Sequence, residues 1–273
     1  MKTSITNKLL LLLTYICAFL TFAVLCFLIG YILVKGIPEI SPELFAFKYN
    51  SENVSLFPSL ITTIITVVLS LIIVVPIGIF TAIYLVEYSK RGSKIVKIVR
   101  VTAETLSGIP SIVYGLFGML FFVTWLGWGF SLIAGVFTLS IMILPLIMRT
   151  AEESIKSVPD TFREASFGLG AGRLRTVFRI VLPAAVPGIL AGVILGIGRI
   201  VGETAALIYT AGTVTQIPEN LFSSARTLSV HMYALSSEGL HTGKAYATAV
   251  VLLVLVVGIN ALSALAAKKL VKE

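Results

Sequence analysis

Apolar residues run through this chain in blocks too long for the core of a soluble protein, separated by short polar segments where the basic residues collect. An α-helix rises 1.5 Å per residue, so a hydrocarbon layer of about 30 Å needs about 20 apolar residues to cross it. Six stretches meet that requirement: Leu9–Val34, Leu60–Leu85, Thr105–Leu126, Phe130–Met148, Leu182–Thr210 and Tyr246–Ala266. They predict an all-α integral membrane protein with six transmembrane helices. The third stretch carries Ser107, Gly108, Pro110 and Ser111 near its start, which predicts a break or kink there. The short link Gly127–Gly129 makes the third and fourth spans a hairpin. The first stretch follows Lys2 and Lys8 as a secretory signal would. It is far longer than the roughly 7–15 apolar residues of a cleavable signal, and no small-x-small site closes it, so it reads as an uncleaved anchor.

Composition narrows the class further. The chain is 57% hydrophobic and only 12% charged, which leaves too little polar surface for a water-soluble domain. The net charge of +8 is spread in short blocks between the apolar runs, not gathered on one soluble face, so it reports topology and not nucleic-acid binding. Sixteen of the 21 Lys and Arg residues fall on one side of the six-span arrangement; Lys35, Lys48, Arg226 and Lys244 fall on the other, and Arg199 lies within a span. Both termini are therefore expected to be cytoplasmic. Cys17 and Cys26 both lie in the first apolar run, as small packing residues and not a disulfide framework.

The longest inner segment, residues 149–181, predicts two short helices joined by a glycine turn. Val158-Pro159-Asp160 is a helix start, with Asp160 placed favourably at the positive end of the dipole. Phe162, Ser166 and Leu169 share one face; Gly168, Gly170 and Gly172 permit the turn; Leu174, Val177 and Phe178 supply a second apolar face; Pro183 opens the next span. Such a pair either lies flat on the lipid surface or forms a knob for a groove on a cytoplasmic partner.

Within this segment Glu164-Ala165-Ser166, then Gly170, Ile180, Leu182 and Pro183 fix seven positions across twenty residues. That pattern resembles the EAA loop of ABC importer permeases, with Ser166 where the family usually has Ala. The resemblance implies a type I importer permease fold whose loop docks an ATP-hydrolysing subunit, with Phe162, Glu164, Ala165, Ser166, Leu169 and Gly170 as docking residues. This chain has no G-x-x-x-x-G-K-[ST] phosphate cradle, so ATP and Mg are expected on the partner ATPase and no cofactor on this chain.

The fifth span repeats Gly188, Gly192 and Gly196 every four residues, a face on which a neighbouring helix can approach closely. Arg199 and Glu203 follow, four apart and so expected on one helix face. A charge inside a bilayer requires a partner or a wet cavity. Either the two neutralise each other as a structural bridge, or Arg199 faces the pathway and meets an anion, whose oxygens suit the planar guanidinium fork. The segment Gly196–Leu207 is similar to the one following the EAA loop in phosphate importer permeases, as are Gly108–Gly115, Ala82–Tyr88 and Ala245–Val250. The resemblance is closest to the A-type subunit. It implies a heterodimer with a C-type permease, two ATPase subunits, an extracytoplasmic phosphate-binding protein, and a bacterial or archaeal cell membrane.

The expected organisation is an N-terminal transmembrane helix and outer loop (1–57), a permease core of five spans (58–267) with its coupling loop at 149–181, and a basic cytoplasmic tail (268–273). Glu104 reads as a carboxylate near a helix N-terminus, Thr62, Thr63 and Thr66 as partners of backbone carbonyls, and Leu221–Leu240 as an outer amphipathic surface helix. His231 and His241 have no metal-ligand spacing around them. A membrane enzyme lacks its residues here: Asp160 is the one aspartate, and no span holds a histidine base. A secondary transporter would leave the EAA-like loop without a role, while another oxyanion, or the C-type position in the heterodimer, would not.

Overall fold

The computed structural model describes residues 5–90 and 92–272, with the side chains of 7–90 and 92–265. Lys2 and Arg91, both counted toward the orientation, lie outside the described residues, as do the side chains of Lys268, Lys269 and Lys272 in the basic tail.

Every described element is helical. Helix α1 (Ile5–Gly36) leads through two short 3-10 turns into α2 (Phe57–Ile83), which a π-helical turn extends to Tyr88. Then come α3 (Lys94–Ser107), α4 (Ser111–Gly118) with a π-helical extension to Trp125, and α5 (Leu132–Lys156). The inner loop holds α6 (Asp160–Gly168). Beyond it, α7 (Arg173–Thr176), a π-helical turn Val177–Val181 and α8 (Leu182–Gly202) form one unbroken run. The chain ends with α9 (Ala205–Ile208), α10 (Leu228–Glu238) and α11 (Thr242–Lys272).

Among the described residues, five runs are long and apolar enough to cross a membrane: Asn7–Glu39, Phe57–Tyr88, Leu132–Lys156, Arg173–Gly202 and Thr242–Leu265. The sixth crossing is broken. Lys94–Ser107 and Ser111–Trp125 meet at 102°, with the expected break at Gly108-Ile109-Pro110, since proline cannot continue the helix that precedes it. Thr105–Ser107, expected to open the third span, therefore belong to α3. This helix alternates Lys94, Lys97 and Arg100 with Ile95, Ile98 and Val101, and it turns Val96 inward onto Leu85 and Met148. Glu104 sits in its last turn and not near a helix N-terminus, so the dipole does not account for it; its neighbour is Arg149 at 3.7 Å. The fifth span is displaced too. It begins at Arg173 and ends at Gly202, so Glu203–Thr210 lie beyond its helix.

Helix α5 is the axis of the bundle. Its Leu139, Met142, Ile143 and Ile147 pack against Val67 and Val74 of α2, Tyr114 of α4, and Ile200 and Val201 of α8. Lipid is as apolar as leucine, so close van der Waals contact holds membrane helices together more than exclusion from water does. The glycine seam of α8 supplies that contact. A Cβ at Gly188 would run into Ser154, one at Gly192 into Thr150, and one at Gly196 would sit 3.0 Å from Ile147 Cδ1. Gly198 and Gly202 differ, with nothing within 4 Å of such a Cβ. A second cluster joins Ala82 and Ile83, Ala151 and Ile155, and Val177, Val181 and Ala185 at the inner ends of α2, α5 and α8.

Two of the three threonines expected to act on backbone in α2 do so: Thr63 Oγ1 donates to Ser59 O at 2.7 Å and Thr66 Oγ1 to Thr62 O at 2.8 Å, whereas the buried Thr62 Oγ1 has no hydrogen-bond partner among the described residues. Thr63 Oγ1 also accepts the Leu228 amide at 2.8 Å, which anchors the start of α10. That helix is shorter than the Leu221–Leu240 expectation and is not a surface helix, for Leu228, Ser229, Val230, His231 and Leu235 are buried. By contrast α1 is exposed along its crossing and touches the bundle at α11, where Tyr31 and Tyr246 meet edge to face at 5.8 Å.

The two kinds of glycine in α8 should separate in a thermal-unfolding series on the purified protein. Gly192→Leu forces α8 off α5 and should lower stability by about 1–3 kcal/mol. Gly198→Ala meets open space and should leave the unfolding midpoint unchanged or slightly raised.

Candidate functional site

Two regions hold the sequence-predicted residues: the inner loop around α6 and the outer end of α8. Helix α6 starts at Asp160 behind Pro159, as the sequence requires. It ends in a Schellman motif: the Gly170 amide donates to Phe167 O at 2.9 Å and the Ala171 amide to Ser166 O at 3.1 Å. Gly170 has φ +82, a left-handed conformation that favours glycine. Gly168 and Gly172 lie outside that region, so the turn depends on one glycine and not three. Phe162, Glu164, Ala165, Leu169 and Gly170 are exposed, and Leu169 at the tip is 90% exposed.

Three expectations for this loop need correction. Ser166 does not share a face with Phe162 and Leu169. It is 4% exposed and its hydroxyl meets Thr176 Oγ1 at 2.8 Å, out of reach of a docked partner. A hydroxyl where the resembling loops carry alanine thus has its partner in the following helix. Leu174, Val177 and Phe178 do not form one apolar face, since Val177 is buried while the other two are exposed. The second helix of the pair is not separate either, because α7 runs on into α8 and ties the knob directly to a span.

The residue that fixes the knob was not singled out from the sequence. Arg163 Nε and Nη2 donate to Glu87 Oε1 at 3.0 and 2.8 Å. Its Nη1 donates to Val158 O at 2.7 Å and Nη2 to Ile155 O at 3.0 Å, so it also holds one carbonyl in the last turn of α5 and one just beyond it. The side chains of both ions are mostly buried, at 13% and 9% exposure. Charge-assisted forked contacts of this kind hold geometry as well as energy. The π-helical turn Tyr84–Tyr88 carries Glu87 at the inner end of α2, within Ala82–Tyr88, already marked by resemblance. What was missing was the long-range partner, which spacing along the chain does not reveal. Beside this latch, buried Glu152 is gripped by Arg100 and Lys156, each at 2.6 Å, which binds α3 to the inner end of α5.

At the outer end of α8, Arg199 and Glu203 do not share a helix face. The helix ends at Gly202, and Glu203 has extended backbone, φ −73 and ψ 128. Glu203 is 8% exposed, and its Oε1 accepts the Ala206 amide at 3.1 Å, which caps α9. Its carbonyl accepts the Ser229 hydroxyl at 2.7 Å. No ion pair joins the two residues among the described side chains. The structural-bridge reading is therefore set aside. Arg199 lies in the last turn of α8, where the negative end of the dipole favours a cation, and it is exposed beside the open flank of Gly198 and Gly202. The turn after Glu203 packs on α4: a Cβ at Gly115 would lie 2.9 Å from Ala206 Cα. The Gly108–Gly115 and Gly196–Leu207 segments, both noted by resemblance, thus meet in space. Together these groups make a guanidinium presented from a rigid turn toward an open side of the bundle, able to grip an anion.

Comparison with known proteins agrees with this geometry. Residues 74–272 match the family model described as binding-protein-dependent transport system inner membrane component. The chain is 33% identical to the probable ABC transporter permease protein YqgI of Bacillus subtilis, over 88% of this chain and 86% of that protein. It is 37% identical to the phosphate transport system permease protein PstA of Pasteurella multocida, over 75% of this chain and 73% of that one. It is 34% identical to PstA of Haemophilus influenzae, over 83% and 80%. Among solved structures, a chain of a bacterial alginate ABC transporter in complex with an alginate pentasaccharide-bound periplasmic protein superposes with TM-score 0.71 at 18% identity, covering 98% of this chain and 97% of that one. A chain of the inward-facing MetNI methionine ABC transporter gives 0.61 at 19% identity, covering 79% and 94%. The fold is that of the type I ABC importer permeases.

The latch has a direct test. Arg163→Ala leaves Glu87 largely buried without its cation and should cost about 3 kcal/mol. Glu87→Gln, which keeps an acceptor oxygen, should cost less. A double-mutant cycle on thermal unfolding should give a coupling energy above about 1 kcal/mol; additive losses would mean that the pair does not act as a unit.

Proposed function

Because the chain belongs to the family of binding-protein-dependent transport system inner membrane components, we propose that it is a permease subunit of an ATP-driven importer of inorganic phosphate and forms half of the translocation path. The observation that carries the substrate is Arg199: a guanidinium within a span, exposed toward open space and without an ion pair among the described residues. Such a group must be compensated in the membrane, and a tetrahedral oxyanion does so through two parallel hydrogen bonds. The phosphate permeases among its relatives support the same substrate. Glu203 serves the path indirectly, since its carboxylate holds the α9 turn and so sets the end of the helix that carries Arg199.

The proposed assembly is a heterodimer with a second permease chain, two ATPase subunits holding ATP and Mg, and an extracytoplasmic phosphate-binding protein, in a bacterial or archaeal cell membrane. Phe162, Glu164, Ala165, Leu169 and Gly170 form the docking surface for one ATPase. Phe167, exposed on the same knob, belongs with them. Movement imposed on α6 passes through Arg163 to Glu87 on α2 and to the Val158 and Ile155 carbonyls at the end of α5. It also passes along the continuous run into α8, whose far end presents Arg199.

Labelled phosphate uptake tests the reading. Uptake should require ATP, persist when ion gradients are collapsed, and resist competition by sulfate. Arg199→Gln should reduce it about 30- to 100-fold, the equivalent of roughly 2–3 kcal/mol for a lost charge-assisted pair. Uptake unaffected by loss of this chain would remove the substrate, while normal uptake by Arg199→Gln would remove only the role of that residue.

A further inference from the structure

The segment between α9 and α10 folds back into the outer half of the protein and buries a second guanidinium. Arg226 is 4% exposed, and its Nε and Nη2 have no hydrogen-bond partner among the described residues. Donors on a buried cation are expensive to leave unmade. The guanidinium carbon lies 5.3 Å from the centre of the Tyr49 ring, and Tyr49 favours the charge, while Nε and Nη2 stay without a partner. Burial lowers the Arg226 pKa, with Tyr49 and Glu238 opposing the shift, yet a guanidinium keeps its proton in proteins. Nearby His231 is fully buried; burial and the Arg226 charge lower its pKa to about 3, against a smaller opposing effect of the Val54 backbone. It is therefore neutral at physiological pH, and Arg226 alone carries buried positive charge in this pair.

Arg226 borders a cavity of about 360 Å³ whose wall includes the polar side chains of Tyr49, Thr213, Thr215, Tyr233 and Glu238. A second cavity of about 480 Å³ shares Tyr49 and is bordered by Lys48. Glu238 is the one acidic group on the wall of the first cavity. It is exposed, so water screens its charge, and it can accept the O–H of a protonated oxyanion. The helix along this wall, α10, is the one whose Ser229 holds the Glu203 carbonyl, so the cavity is mechanically joined to the turn after Arg199.

We propose that this cavity is an outer binding site for a tetrahedral oxyanion, gripped by the guanidinium of Arg226, which lines it, and by the Thr213 and Thr215 hydroxyls. It would receive the anion before Arg199 does. The identity of the anion as phosphate rests on the function proposed above; the site itself rests on the buried guanidinium and the space beside it.

The test uses the complete transporter in lipid nanodiscs, without the binding protein, with Cys17 and Cys26 replaced by Ala and Ser237→Cys as a reporter on the cavity wall. A charged, membrane-impermeant thiol reagent reads access. Inorganic phosphate at about ten times its half-saturating concentration should slow labelling about tenfold. The slowing should vanish in Arg226→Gln and be reduced in Arg226→Lys, which keeps the charge but loses the fork. If the glutamine variant fails to assemble, the lysine variant decides. Equal slowing in an assembled Arg226 variant would overturn the site, as would no slowing in a parent transporter that imports phosphate when assayed in cells. A parent that is protected by sulfate and imports sulfate would uphold the site and overturn the phosphate reading.

Discussion

The mechanical integrity of this protein depends on one forked ion pair. Arg163 sits on a nine-residue helix that could not stand alone in water, because a helix that short does not repay its nucleation. Its guanidinium binds the carboxylate of Glu87 and two carbonyls at the end of α5 at once. Those contacts join α6 to α2 and α5, while the continuous run from Arg173 joins it to α8. The three long helices that build the core therefore share one handle. Ala82, Ile155, Val177 and Val181 pack together where the inner ends of these helices meet.

From that handle the structure is stiff where force must pass and open where cargo would. The α5–α8 seam is closed by small residues facing hydroxyls, Gly188 on Ser154 and Gly192 on Thr150, so the two helices travel as a pair. One turn beyond the seam, Gly198 and Gly202 face open space and flank Arg199. The same repeated glycine thus does two jobs, distinguished by what lies opposite. At the outer end, Glu203 capping α9 and Ser229 bonded to the Glu203 carbonyl fix the turn, and Gly115 lets α4 approach it.

Much of this was legible in the sequence. Apolar run length gave the crossings, because the bilayer imposes it, and Gly108 with Pro110 gave the break in the third. The EAA-like spacing located the knob, and Gly170 its turn. What was not legible is long-range or depends on where a helix stops. Nothing in the spacing of Glu87 and Arg163, 76 residues apart, marks them as partners. Helical spacing placed Arg199 and Glu203 on one face, but the helix ends between them, and the cap that Glu203 makes to Ala206 competes with a bridge. Helix α3 is not among the elements that apolar run length predicts, because its charges mask a short apolar stripe. The EAA-like pattern marks Ser166 as a docking residue and does not reveal its partner, Thr176, which lies across the turn.

Helix α6 and the inner ends of α2, α5 and α8 are expected to move as one body when an ATPase partner closes. Spin labels at Leu169→Cys and Glu153→Cys, in a chain with Cys17 and Cys26 replaced, measure it by electron–electron resonance across the ATP cycle. A single body keeps the Leu169–Glu153 distance within the chain unchanged, while the distance from Leu169 to a label on the coupling loop of the second permease shortens when ATP is bound. A within-chain distance that shifts with ATP while the distance between the two loops stays fixed would contradict it.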